Sequence, residues 1–342
     1  MKKVTELNQL GEFELIKRIR SRLKTHSSRI IKGIGDDSAV FSTNPNTIQL
    51  TSTDALIESI HFDLKTITPK QLGRKAMAVN ISDIAAMGGT PYLAVISMGL
   101  PKSTSRKFID EFYSGLQKIC NFYKIELAGG DTVASPKHLF INVCILGEAS
   151  KTRVFYRTGA KSGDQIFVTG NLGDSAMGLR ILMGNSKVII PTKYSNLLIK
   201  KHLEPIPRVK ESGLLAKSKL KVTSMIDVSD GLAQDLGHLL TEGKIGANLY
   251  EDSLPISEAL NSTCLLKKHD STNWALQGGE DYELLFTITP EDVKKIKSLF
   301  LKADTFVTHI GEITKSQKKI TLIKKSGSKF SLKPATGFNH FK

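Results

Sequence analysis

Along residues 74–91, RKAMAVNISDIAAMGGTP, apolar side chains crowd almost every position. Ala76, Met77, Val79, Ile81, Ile84, Ala85 and Met87 leave little polar face. A segment that is apolar nearly all round predicts a buried helix. Gly88-Gly89 is its expected stop, with Pro91 following as a terminator. One carboxylate, Asp83, stands in the middle, a helical turn after Asn80. An isolated carboxylate buried there would cost several kcal/mol or take up a proton. An Arg or Lys, backbone donors or a metal ion must offset that cost.

Helical stripes recur at residues 11–24 (Phe13, Leu15, Ile16, Ile19) and 103–123 (Phe108, Phe112, Leu116, Ile119, Cys120). Helices are also expected at 208–217, after Gly231 through Leu240, and at 290–301, with another opening at 170–175. Short apolar runs at 47–51, 92–100, 125–128, 139–147, 165–169, 222–227, 306–313 and 319–323 read as strands. The order predicts an α/β (α+β) chain. A composition shift near residues 148–151 divides it into domains 1–149 and 150–342.

Glycines and acids gather at the ends of these runs. Residues 33–37 read Gly-Ile-Gly-Asp-Asp, and Ser52-Thr53-Asp54 is expected to close a strand. Gly129-Gly130-Asp131-Thr132 follows another strand, Asp227-Val228-Ser229-Asp230-Gly231 joins a strand to a helix, and Gly278-Gly279-Glu280-Asp281 leads into a strand. Strand-to-helix junctions are where open α/β sheets hold ligands. Tight turns with capping aspartates would explain single members of this set but not both Asp227 and Asp230.

The chain has 342 residues, enough for two cores, with 40% hydrophobic and 24% charged residues, as in ordinary globular proteins. No run is long and apolar enough to span a bilayer, because 84–100 is broken by Gly88, Gly89 and Pro91. The start lacks an apolar signal region, and Cys120, Cys144 and Cys264 show no CxxC spacing, so reduced cysteines and a cytoplasmic setting are expected. The net charge of +15 suits phosphate-bearing ligands. The basic residues are dispersed without an aromatic-interleaved face, which argues for a solvated basic surface and against a nucleic-acid footprint.

Asp36, Asp37, Asp54, Asp83, Asp131, Asp227, Asp230 and Glu280 could converge only with cations between them. Hard oxygen donors without His or Cys point to magnesium, which commonly bridges a few carboxylates to substrate phosphates. Phosphoryl transfer from a nucleotide is the reaction class this favours. No dedicated base is evident, and a phosphate acceptor, already ionised, needs none. No GxxxxGK[ST] loop occurs.

These motifs, together with Gly11-Glu12-Phe13, His61-Phe62, residues 75–88 and Gly337-Phe338-Asn339-His340-Phe341, resemble the thiamine-monophosphate kinase family over nearly the whole chain. Aminoimidazole ribonucleotide synthetase and selenophosphate synthetase are wider relatives of that family. The resemblance implies an N-terminal α/β domain that binds ATP and magnesium and pairs in a homodimer, and a C-terminal α/β domain that completes the active site. It also implies transfer of the ATP γ-phosphate to thiamine monophosphate. Position by position, it makes Asp37, Ser52, Thr53, Asp54, Asp83, Asp131, Asp227 and Asp230 ligands of several magnesium ions, with Asp37, Asp54, Asp83, Asp131 and Asp227 central to catalysis. Gly130, Asp131, Arg157 and Ser229 would meet ATP, and His61, Glu280 and Phe338 would hold thiamine monophosphate. Phe338 keeps a stacking face for a cationic ring. A nucleotide-contacting tyrosine would be nearest Tyr113. A relative acting on another acceptor, such as a ligase forming an acyl phosphate, and a basic nucleic-acid-binding protein are the alternatives.

Overall fold

The computed structural model describes residues 18, 21–22, 30–32, 40–41, 47–184, 190–243, 245–316 and 319–332. The Gly-Ile-Gly-Asp-Asp motif with Asp37 and residues 333–342 with Phe338 lie outside them, as does most of the first expected helix, of which 18 and 21–22 are helical. The chain divides into two compact units, 1–84 with 89–152 and 85–88 with 153–342. Strands β1 (Ile30–Lys32) and β2 (Val40–Phe41) pair with each other.

The first unit is built on a four-stranded sheet. Its strands are β3 (Thr47–Ile57), β4 (Thr90–Pro101), β5 (Glu126–Ser135) and β6 (Phe140–Ser150), in the order β3-β6-β4-β5. Only β4 and β5 run parallel. Alternate β6 residues, Ile141, Val143 and Ile145, are buried, and Asn142, Cys144 and Leu146 on the other face are half-buried. That is the pattern of a sheet covered on one side.

Two helices accompany the sheet, Pro69–Ala86 and Arg106–Tyr123. The first starts five residues before the expected Arg74. Thr68 Oγ1 accepts the N–H of Gln71 at 3.3 Å and Gln71 Oε1 accepts the N–H of Thr68 at 3.2 Å, a reciprocal cap with Pro69 in the first helical position. The two helices approach backbone to backbone: a Cβ on Gly115 would lie 1.8 Å from Lys70 O, and one on Gly73 would lie 2.1 Å from Phe112 O.

Two segments expected to end strands lie inside them. Ser52-Thr53-Asp54 does not close its strand, because β3 pairs with β6 without interruption from Thr47 opposite Ser150 to Ile57 opposite Phe140. Likewise Gly129, Gly130 and Asp131 lie inside β5, which stays paired with β4 through Ser135. In both cases ladder hydrogen bonds carry the strand through polar and glycine positions that read locally as ends. Both are edge strands, where such residues meet water on one side.

The second unit carries a seven-stranded sheet ordered β13-β12-β9-β11-β7-β10-β8. The strands are β7 (Gln165–Thr169), β8 (Val222–Asp227), β9 (Gly246–Tyr250), β10 (Leu284–Ile288), β11 (Val307–Thr314), β12 (Ile320–Ile323) and β13 (Lys329–Leu332). Ile166, Val168, Ile226, Leu285, Ile310 and Ile313 belong to one core, with Leu232, Leu236 and Leu240 of helix Leu232–Gly243. Phe167, Met225, Leu284, Phe286 and Ile288 belong to a second core, with Leu215, Ile296 and Phe300. Both faces are covered, so the central strands read as continuous apolar runs. Helices Thr192–Leu203, Glu258–Lys267 and Ser271–Gln277 and strands β9 and β13 lie where no element was expected.

Among the described residues no helix is long and apolar enough to cross a membrane. All three cysteines are free, Cys120 and Cys264 buried and Cys144 half-buried.

Candidate active site

In the first unit Asp54 and Asp83 come together where β3 lies against helix Pro69–Ala86. Ser52 and Asp54, two residues apart, share a face of the strand. Ser52 Oγ donates to Asp83 Oδ2. Asn80 Oδ1 accepts the N–H of Asp54 at 2.9 Å, while its Nδ2 donates to Ala76 O at 2.9 Å. Burial first, and the neighbouring Asp83 charge second, push the Asp54 carboxyl up to about 6. Two carboxylates and a hydroxyl pressed together against a helix form a hard-oxygen donor set whose repulsion a divalent cation relieves, so these residues fit magnesium.

Thr53 and Asp131 lie elsewhere. Asp131 pairs with Ser97, Ser97 with Asn142, and Asn142 with Ala55. Residues opposite one another in a ladder share a face, so Asp131 shares the side of Ala55 and Thr53, away from Ser52 and Asp54. Asp131 and Gly130 are also on the far edge strand, three strand spacings or about 14 Å from β3. Asp131 is exposed and accepts the N–H of Thr132 at 2.8 Å. Thr53 Oγ1 donates to Asn142 Oδ1 or Val143 O, at 3.1 and 3.0 Å. Within this sheet, then, Ser52, Asp54 and Asp83 come together, and Thr53 and Asp131 do not join them.

His61 sits in the turn after β3. Its Nδ1 accepts the N–H of Ile57 at 2.9 Å, which leaves the proton of the neutral ring on Nε2. Tyr113 is a core residue: it is buried, packs edge-on against Phe112 with ring centroids 5.5 Å apart, and its hydroxyl is pushed up by burial.

In the second unit Asp227 ends β8, buried, and the chain turns through Val228, Ser229, Asp230 and Gly231 into helix Leu232–Gly243. Gly231 adopts φ +116°, open to glycine alone at low cost. Asp235, one turn into the helix, reaches back: its Oδ2 accepts the N–H groups of Ser229, Asp230 and Gly231 at 3.1, 3.1 and 3.0 Å. Burial, then Asp227 and Asp230, push its carboxyl up to about 8. Asp230 is not the cap; it accepts Gln234 Nε2 at 2.8 Å. Asp230, Asp235 and His238 offer atoms within 4.8 Å of one another.

The Gly-Gly-Glu-Asp turn packs on this junction. Glu280 N donates to Ser229 O at 2.7 Å and Tyr282 N to Val228 O at 2.8 Å. Glu280 and Tyr282 both hold left-handed conformations, φ +64° and +51°, a strain that surrounding structure must sustain. Asp281 caps helix Asp174–Leu182, its Oδ2 accepting Gly173 N at 2.6 Å and its Oδ1 Ser175 N at 3.2 Å; burial holds its carboxyl well above the usual range. Buried Glu283 is clasped by the Arg208 guanidinium and accepts Thr169 Oγ1 at 2.7 Å. Arg157 is exposed, next to Tyr156, whose carbonyl accepts Met225 N of β8 at 2.9 Å.

The sequence reading did not single out Asn80 as a partner of Asp54, nor Asp235, His202, Arg208 or Glu283. For Asp235 a signal existed: an aspartate four residues after Gly231 can reach back to the turn.

The family model for the AIR synthase related protein N-terminal domain matches residues 35–149, and that for the C-terminal domain matches residues 161–324. A thiamine-monophosphate kinase of Buchnera aphidicola subsp. Schizaphis graminum is 42% identical over 333 residues, 97% of this chain and 99% of that one. The solved thiamine-monophosphate kinase of Stenotrophomonas maltophilia K279a is 34% identical, with a TM-score of 0.80 over 92% of this chain and 96% of that chain. A structure described as AaThiL complexed with AMPPCP and TMP is 33% identical, with a TM-score of 0.75 over 99% of this chain and 100% of that chain. On near-full-length identity and a shared two-domain fold, this chain belongs to the thiamine-monophosphate kinase family of AIR synthase related proteins.

Proposed function

We propose that this protein transfers the γ-phosphoryl group of ATP to a phosphate oxygen of thiamine monophosphate, releasing ADP and thiamine diphosphate, with magnesium ions as cofactor. The observation that carries the reading is the Ser52, Asp54 and Asp83 cluster, in a chain similar over its whole length to one that binds AMPPCP and TMP. The acceptor phosphate is already ionised, so these residues need not remove a proton. Their work is to hold cations and position phosphates, as phosphoryl transfer requires.

In this reading Ser52, Asp54 and Asp83 hold magnesium in the first unit, and Asp227 and Asp230 do so in the second. Bound magnesium would neutralise phosphate charge. Asp37 belongs to the same ligand set, and Gly130, Asp131, Arg157 and Ser229 to the nucleotide site. His61 presents Nε2–H as a donor to the substrate phosphate, and Glu280, with Phe338, faces the thiazolium ring, its carboxylate offsetting the ring's positive charge.

A homodimer belongs to the same proposal. Its support is the open face of the four-stranded sheet, where Thr51, Thr53, Ala55 and Asp131 are exposed and Val133 is 54% exposed. A second copy covering that face would give Thr53 and Asp131, as magnesium ligands, a surface to act across.

The test is incubation with labelled ATP and thiamine monophosphate, with and without magnesium. Labelled thiamine diphosphate forming only with magnesium is the expected result. A sample that binds ATP and makes none ends the proposal.

A further inference from the structure

We propose that His202 is a positioning residue for Glu280, fixing the carboxylate that meets the thiamine moiety; this rests on the reading of Glu280 given above. His202 lies in helix Thr192–Leu203 and is 5% exposed. Its Nδ1 is 3.2 Å from Glu280 Oε2 and 3.2 Å from Ser175 Oγ. The pair is an ion pair when the ring is protonated, and Ser175 Oγ is the hydrogen-bond partner of the same ring nitrogen. Ser175 is itself fixed, because its N–H is held by Asp281 at 3.2 Å.

Glu280 is thus held from two directions. Its backbone, at φ +64°, is anchored to Ser229 O, and its side chain lies beside a buried imidazole on helix Thr192–Leu203. A strained backbone with a side chain tethered from a second element is the construction expected where one rotamer must be kept for a ligand. The charged groups nearby have other engagements: Lys201 lies 4.0 Å from Glu283, Arg208 clasps Glu283, Asp281 caps a helix, and Asp174 accepts Ser257 Oγ at 2.6 Å. His202 is therefore the cation-capable side chain placed to act on the Glu280 carboxylate, and its effect falls first on affinity for thiamine monophosphate.

The experiment is a kinetic double-mutant cycle on the full chain, with KM for thiamine monophosphate, KM for ATP and kcat measured for E280Q, H202L, H202N and E280Q/H202L. Asn places an amide nitrogen near Nδ1, and H202F, which keeps the ring volume, replaces H202L should that variant not fold. The expected result is a rise of about 10- to 100-fold in KM for thiamine monophosphate in E280Q and H202L, as the carboxylate loses its charge in one and its fixed position in the other. KM for ATP should stay within about twofold, H202N should recover most of the loss, and the double variant should be no worse than E280Q. If E280Q leaves KM for thiamine monophosphate unchanged, the reading of Glu280 falls and this proposal with it. If E280Q raises it while the His202 variants do not, or the double variant shows the product of the two effects, the His202 proposal alone is overturned.

Discussion

Asn80 Oδ1 accepts the backbone N–H of Asp54 at 2.9 Å, so a helix side chain takes the strand backbone at the residue whose carboxyl feels the Asp83 charge. Asn80 is wholly buried and turns its other amide atom to Ala76 O. Strand and helix are therefore locked in register at the acids, and the repulsion between the acids cannot relax by a simple slide.

That lock makes the metal-free protein sensitive to pH. Asp54 is pushed up to about 6 from 3.8, so the folded state binds its proton more tightly than the unfolded chain does. The penalty is absent below the unfolded value, grows as pH rises through the window, and is complete above about 6. Without magnesium, stability should therefore rise by about 1–3 kcal/mol on going from pH 7.5 to pH 4.5 at this one group. Melting curves of wild type and D54N across that range check it, since the D54N curve should lack this component.

Asp235 separates charge from hydrogen bonding. With its carboxyl pushed up to about 8, it carries a proton through much of the neutral range in the absence of metal. D235N, which keeps an acceptor oxygen for the three N–H groups, should fold with stability within about 1 kcal/mol of wild type. D235A leaves those groups without their acceptor and should lose about 2–4 kcal/mol, read by chemical denaturation.

Arg208 and Glu283 form a buried pair inside the second unit. R208L takes the guanidinium from a carboxylate that is only 2% exposed and leaves it Thr169 Oγ1 and the more distant Lys201, so it should cost about 2–4 kcal/mol. The double variant R208L/E283L should recover much of that loss. Equal destabilisation of single and double variants would contradict this account of the pair.

Gly115 allows two helices to touch. A Cβ there would lie 1.8 Å from Lys70 O, a backbone atom that cannot swing aside. G115A should therefore lower stability by about 2–4 kcal/mol, where an uncrowded helical glycine changed to alanine would gain about 1 kcal/mol. Thermal melting distinguishes the two signs.

The buried helix and most strands were legible because their apolar spacing is strong, and the junction at Asp227 was legible because a strand does end there. The earlier start of the first helix was also written in the sequence, as Thr68, Pro69 and Gln71. Helix Thr192–Leu203 was not legible, since it buries only Leu198, His202 and Leu203 and so shows a thin stripe. Strand β9, Gly-Ala-Asn-Leu-Tyr, has little strand propensity of its own and is held by β11 and β12 on either side. The acids could be recognised as a set, but their faces could not. Thr53 and Asp54 are adjacent in sequence and point to opposite sides of the sheet, a consequence of register that residue types do not reveal. The contacts of His202 and Asp235 depend on tertiary packing and turn geometry in the same way.

The most direct test of the Asp54–Asp83 site is the magnesium dependence of thiamine diphosphate formation in wild type and D83N, compared at equal folded fraction. We expect wild-type turnover to require magnesium. D83N should fold, melt no lower than wild type without metal, and lose at least about 99% of turnover at saturating substrates. A D83N protein with wild-type turnover and an unchanged magnesium requirement would contradict the assignment.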